Sequence, residues 1–178
     1  MSRLKQWAAG LALCAGLVAQ AHATVLVADG NWNTFDVDDF YGTQWIDLGG
    51  DALSFDFSVA AGQVATLTVV DGGFAGDVFK VFNGATLLGA SSAAINSYPD
   101  SLGLDFDAAL ADARYSRAVF TLAAGEYSIN GEATTLPLGT TVGAVQLAIS
   151  DVPEPSSLAL LTGGLLMLTA LRRSHRDR

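Results

Sequence analysis

The chain has 178 residues, half of them apolar, with 18 acidic against nine basic side chains. Its length predicts one domain once the ends are set aside, and the acidity excludes nucleic-acid binding, which needs clustered cations to displace counterions. Between Thr24 and Asp151 the imbalance is sharper, 16 acidic residues against Lys80, Arg114 and Arg117.

The N-terminus begins with Arg3 and Lys5, continues through the apolar stretch Trp7 to Ala19, and reaches Ala21-His22-Ala23. A short positive start, an apolar stretch and a small-residue A-x-A site together predict a secretory signal peptide over 1–23. Signal peptidase is expected to cut between Ala23 and Thr24. Cys14, the single cysteine, lies inside this segment and His22 just ahead of the cut. The expected mature body, residues 24–151, therefore holds neither Cys nor His, which excludes a Ser-His-Asp triad, a Cys-His pair and an ordinary zinc site.

The body carries strand signals. Leu53, Phe55, Phe57 and Val59 alternate with Ser54, Asp56 and Ser58, the period-two pattern of a strand with one buried face. Val64 to Val70 predicts a second strand. Val78 to Phe82, Asn83-Gly84 and Ala85 to Leu88 predict a hairpin, because Asn-Gly suits a type I′ turn. Asp107 to Asp112 predicts one helical turn. Arg117 to Leu122 and Glu126 to Asn130, joined through Ala123-Ala124-Gly125, predict another hairpin, with Ala118, Phe120, Leu122, Tyr127 and Ile129 on its buried side. Val142 to Ile149 completes the set. Short strands with closely spaced turns point to an all-β fold, a jelly-roll-like β-sandwich flanked by an N-terminal signal helix and a C-terminal transmembrane helix.

The tail, 152–178, opens with Val152-Pro153-Glu154-Pro155. The prolines block helix and sheet and keep this stretch extended. Ser156 to Leu171 is a run of 16 residues, about 24 Å long as a helix. That is slightly short of a hydrocarbon core of about 30 Å. Arg172 and Arg173 form the membrane stop, followed by Arg176 and Arg178, and the positive-inside rule places this end in the cytoplasm.

This Pro-Glu-Pro motif, apolar run and arginine-rich end, in that order, resembles the PEP-CTERM sorting signal of Gram-negative bacteria with polysaccharide-rich biofilms. The resemblance implies recognition by an exosortase, a membrane protease of transpeptidase type, acting at or near Pro153-Glu154-Pro155. It further implies export, a transient inner-membrane intermediate and delivery to the cell surface or beyond. The stretches Gly76 to Gly84 and Phe120 to Ile129 also resemble bodies found ahead of such tails.

Within the body, Asp36, Asp38 and Asp39 form the densest carboxylate cluster. Hard oxygen ligands suit Ca²⁺, but the spacing is not that of an EF-hand loop, and a solvated loop is the default. Trp32, Phe35, Phe40, Tyr41 and Trp45 crowd into 14 residues. Exposed rings, Trp32 and Trp45 first, would stack on sugars, whereas buried ones would pack the core. No carboxylate pair stands out for catalysis. The expected protein is thus a non-enzymatic surface or matrix component, without a cofactor, sorted by an exosortase. A carbohydrate-binding module for exopolysaccharide is the alternative.

Overall fold

The computed structural model describes residues 22–152. The expected signal helix lies outside the described residues, as do the transmembrane helix, Ala21, Pro153, Glu154, Pro155, Arg172 and Arg173. Among the described residues no helix is long and apolar enough to cross a membrane.

The elements run β1 (His22–Val25), β2 (Asn33–Asp38), β3 (Leu53–Val59), β4 (Gln63–Asp71), β5 (Gly73–Phe74), β6 (Val78–Asn83), β7 (Thr86–Ala90), β8 (Ser101–Gly103), α1 (Phe106–Ala111), β9 (Arg117–Leu122), β10 (Gly125–Thr135) and β11 (Thr140–Asp151). The described protein is all-β apart from α1, which Asp105 caps by accepting from the Ala108 N–H. The strands form a five-stranded sheet ordered β1-β3-β10-β6-β7, a four-stranded sheet ordered β2-β11-β4-β9, and the small pair β5-β8. Among these pairings only β1–β3 is parallel.

The alternation seen in the sequence explains the layering. Phe55, Phe57, Phe79, Val81 and Ile129 of the larger sheet share one buried cluster with Phe35, Val37, Leu67, Val69, Val145 and Leu147 of the smaller. A strand with one buried face contributes every second residue to such a core. A second cluster forms where α1 lays Phe106 and Ala109 over Val70 and Ala144, on the other face of the four-stranded sheet.

Between the sheets, the Phe35 and Trp45 rings stack at 3.9 Å and 14°. Each ring lies over a glycine. A Cβ at Gly131 of β10 would run into the Trp45 indole, and one at Gly143 of β11 into the Phe35 ring. The two glycines, one per sheet, make room for the stacked pair. The Trp45 indole N–H finds no acceptor among the described residues.

Three local expectations are corrected. Residues 117–130 do not form a hairpin. Leu122 faces Ala65 in the four-stranded sheet, whereas Gly125 faces Val59 in the five-stranded sheet. Ala123-Ala124 is therefore an arch between sheets. The same alternation serves either arrangement, since a hairpin puts its apolar residues on one face and an arch turns two faces toward each other. The β6–β7 turn is also displaced by one residue. Asn83 pairs with Thr86, leaving Gly84-Ala85 as the loop. Gly84 alone has positive φ, +56°, which suits glycine at the first position of a type II′ turn. Finally, Asp36-Val37-Asp38 is strand rather than solvated loop, with Phe35 and Val37 buried on its inner face.

Candidate functional site: the tail junction and the acidic end

β11 lies between β2 and β4, pairing with β2 over Thr140–Val145 and with β4 over Gly143–Asp151. It ends at Asp151, whose Oδ1 accepts from Gln63 Nε2 at 3.1 Å. The Val152 N–H then donates to the Gly62 carbonyl at 2.8 Å. The next residue is Pro153, which has no N–H to continue a ladder. The folded body and the Pro-Glu-Pro segment thus meet with no spacer.

At the other terminus, Thr24 lies inside β1 and faces Phe55, with Ala23 facing Ser54. The strand begins at His22, two residues ahead of the expected mature start.

The aromatic cluster is divided by the fold. Trp45 is fully buried, so its ring is not available to a sugar. Trp32 is half-buried against Phe106, with centroids 5.9 Å apart, and its Nε1 donates to Asp107 Oδ1 at 2.9 Å. The alternative of a Trp32–Trp45 sugar platform is not assembled, because Trp45 stacks on Phe35 between the sheets and α1 covers one side of Trp32. Phe40 and Tyr41 are the pair left outside, 83% and 50% exposed, meeting edge to face at 5.0 Å.

The three acidic candidates are held differently. Asp36 is half-buried on β2, and that burial pushes its carboxyl upward. Asp38 Oδ1 accepts from the Phe40 N–H at 2.9 Å. Asp39 is exposed near Gly139. Among the described residues no three His, Cys, Asp or Glu side chains gather as a metal ion requires.

Asp71-Gly72-Gly73 and Gly76-Asp77 have the composition of turns, which gives no sign of what their carboxyls do. Asp71 is 0% exposed and Asp77 5%. Asp71 Oδ2 accepts from the N–H groups of Gly76 (3.1 Å) and Asp77 (3.2 Å). Thr141 Oγ1 donates to Asp71 Oδ1 at 3.4 Å. Among the described residues no cation pairs with either acid. Burial, then the neighbouring Asp77, pushes Asp71 up to about 8. Burial raises Asp77 as well. The available signal was Asp71 at the end of the apolar strand run Val69-Val70.

The fold and the junction define an all-β body delivered with a proline-bracketed C-terminal tail. Residues 151–174 match the family model described as the PEP-CTERM protein-sorting motif. The chain thus carries a PEP-CTERM sorting motif at its C-terminal end, and the motif implies an exported, exosortase-targeted protein with a membrane-associated intermediate on the way to the surface. No curated protein matches the chain. Among solved structures, the pre-peptidase C-terminal domain of a Bacillus anthracis collagenase aligns at 9% identity and a TM-score of 0.40, covering 72% of this chain and 94% of its own. The Aeromonas hydrophila periplasmic inhibitor of g-type lysozyme aligns at 15% identity and 0.35, covering 74% and 100% respectively. Both scores fall below 0.5, too low to assign a shared fold or role.

Proposed function

We propose that the chain is a structural or interaction protein of the bacterial surface or extracellular matrix, delivered as the cargo of its own tail. Signal peptidase removes the leader, and the apolar run stopped by Arg172 and Arg173 holds the chain in the inner membrane. An exosortase then processes the chain at or near Pro153-Glu154-Pro155. The body, a jelly-roll-like sandwich in this reading, works without a catalytic or metal centre.

The observation that carries this reading is the end of β11. A cut at or after Pro153 removes only residues beyond the last paired one, so the folded body survives processing whole. Expressing the gene with and without the partner exosortase tests it. The expected result is loss of the tail and release from the inner membrane only when the enzyme is present. Unchanged mass and location in both strains would sink the reading.

A carbohydrate-binding role remains the second reading, moved to different rings. The exposed Phe40–Tyr41 pair beside Asp38 and Asp39 offers aromatic faces for sugar C–H groups and carboxylates for hydroxyls. Retention of the wild-type body, but not of a Phe40→Ala/Tyr41→Ala variant, on the host's exopolysaccharide would support it. Equal retention would rule out this platform.

A further inference from the structure

The leader-cleavage motif is satisfied twice in this sequence, by Ala21-His22-Ala23 and by Ala19-Gln20-Ala21. We propose that signal peptidase cuts after Ala21, leaving His22 as the first residue of the mature protein. The proposal rests on the export reading and changes where the mature body begins.

The geometry breaks the tie. β1 pairs four residues with β3, and His22 and Ala23 supply the first two, facing Leu53 and Ser54. The His22 N–H donates to the Ala52 carbonyl at 2.6 Å. The imidazole Nδ1 donates to Asp47 Oδ2 at 2.9 Å. Asp47 is already set for this partner: its Oδ1 accepts from the N–H groups of Gly49 (2.8 Å) and Asp51 (3.0 Å), which leaves Oδ2 turned to the histidine.

Signal peptidase reads an extended chain before folding, so the fold does not guide the enzyme. It shows which product completes the domain. A cut after Ala23 leaves Thr24 and Val25 as the whole of β1. It strips the Ala52 carbonyl and Asp47 Oδ2 of their partners. It also uncovers the edge of β3 at Leu53 and Ser54, both buried in the structure. An edge strand reduced to two residues leaves unpaired backbone groups on its neighbour, the arrangement that invites pairing with another chain. A cut after Ala21 keeps every one of these contacts. The new α-ammonium is itself a donor placed at the Ala52 carbonyl. The mature body then retains one histidine, used as a structural donor rather than as a catalyst.

The test is the N-terminus of the full-length gene product exported by a Gram-negative host, read by intact mass and N-terminal sequencing. A mature chain starting at His22 supports the proposal, and one starting at Thr24 overturns it. An uncut Met1 end overturns the export reading and the proposal with it. Ala23→Leu gives a second measurement that does not depend on folding. It places a large side chain immediately before the Ala23–Thr24 bond but two residues beyond the Ala21–His22 bond. Processing at the wild-type rate is expected, and accumulation of precursor would count against a cut after Ala21.

Discussion

Asp71 and Asp77 occupy a place where two ionised carboxylates are costly. With no cation from the described residues beside them, one proton held between the two acids is the economical state, and the proton belongs to the pair rather than to either residue. The folded protein binds that proton up to about pH 8, the value to which Asp71 is pushed, whereas an unfolded aspartate releases it near pH 4. Folding stability is therefore fully present below the unfolded value and falls as pH rises toward the folded one. The slope is at most about 1.4 kcal/mol per pH unit. Melting the exported body from pH 5 to 9 should show a decline that levels off above about pH 8. Asp71→Asn keeps an acceptor for the Gly76 and Asp77 N–H groups and supplies an N–H to Asp77, so its curve should be flatter. An unchanged slope in the variant would show that the pair is not its source. Asp112 behaves oppositely, because Arg114 lies against it at 2.7 Å and holds its carboxyl below the usual range. Both partners are open to water, so this pair contributes little to stability.

At the scale of the element, the stacked Phe35 and Trp45 rings set the tolerance of two strands. β10 and β11 can each pass the aromatic pair only at a glycine. Gly131→Ala and Gly143→Ala should each destabilise the body by about 1–3 kcal/mol, the usual cost of overfilling a packed core. Because the two glycines meet different rings of one stack, the double variant should depart from additivity. Denaturant unfolding of the two singles and the double measures this. A third substitution, Gly62→Ala, gives a comparison of another kind, since no atom lies within 4 Å of a Cβ there and only its φ of +82° opposes the change. Its cost should be near 1 kcal/mol, the strain of a single residue in that region. The Ala123-Ala124 arch belongs to this scale too. Its two strands close opposite layers, so lengthening it by one or two glycines should be tolerated better than lengthening the two-residue β6–β7 turn, whose length fixes the strand register.

For the whole molecule, the position of β11 makes the order of events matter. It is an interior strand of the four-stranded sheet and carries the buried Val145 and Leu147. A chain ending at Val152 should fold and melt cooperatively, whereas one ending at Ala144 should not, since β4 would keep only two of its nine partners on β11 and the buried Val145 and Leu147 would be gone. Circular dichroism and cooperative denaturation of the two proteins would check this. The same argument explains why a processing motif beginning at 151 is compatible with a stable product: the last ladder pair, Asp151 with Gln63, precedes the first proline. Added Ca²⁺ should leave the melting temperature unchanged in the proposed reading, and a rise of several degrees would point to a cation site among the acidic loops.

By itself the sequence determined the all-β class, the positions of β3, β4, β6, β7, β9 and β11, the turn of helix at α1, and the sorting motif. Each of these is written in local periodicity, turn residues or a contiguous signature, and needs no knowledge of distant neighbours. What β1 and β2 pair with, which sheet receives β10 after the Ala123-Ala124 arch, and where the aromatic residues point were decided only in three dimensions. Alternation says that a side chain is buried but not against which layer. Nor did Asp71 and Asp77 differ in composition from the acids that face water. Their burial comes from a loop folding back on the end of β4, a contact between parts of the chain that no local pattern encodes. The proposed leader boundary shows the same division: two A-x-A sites stand along the chain, and the pairing of β1 with β3 is the observation that favours one of them.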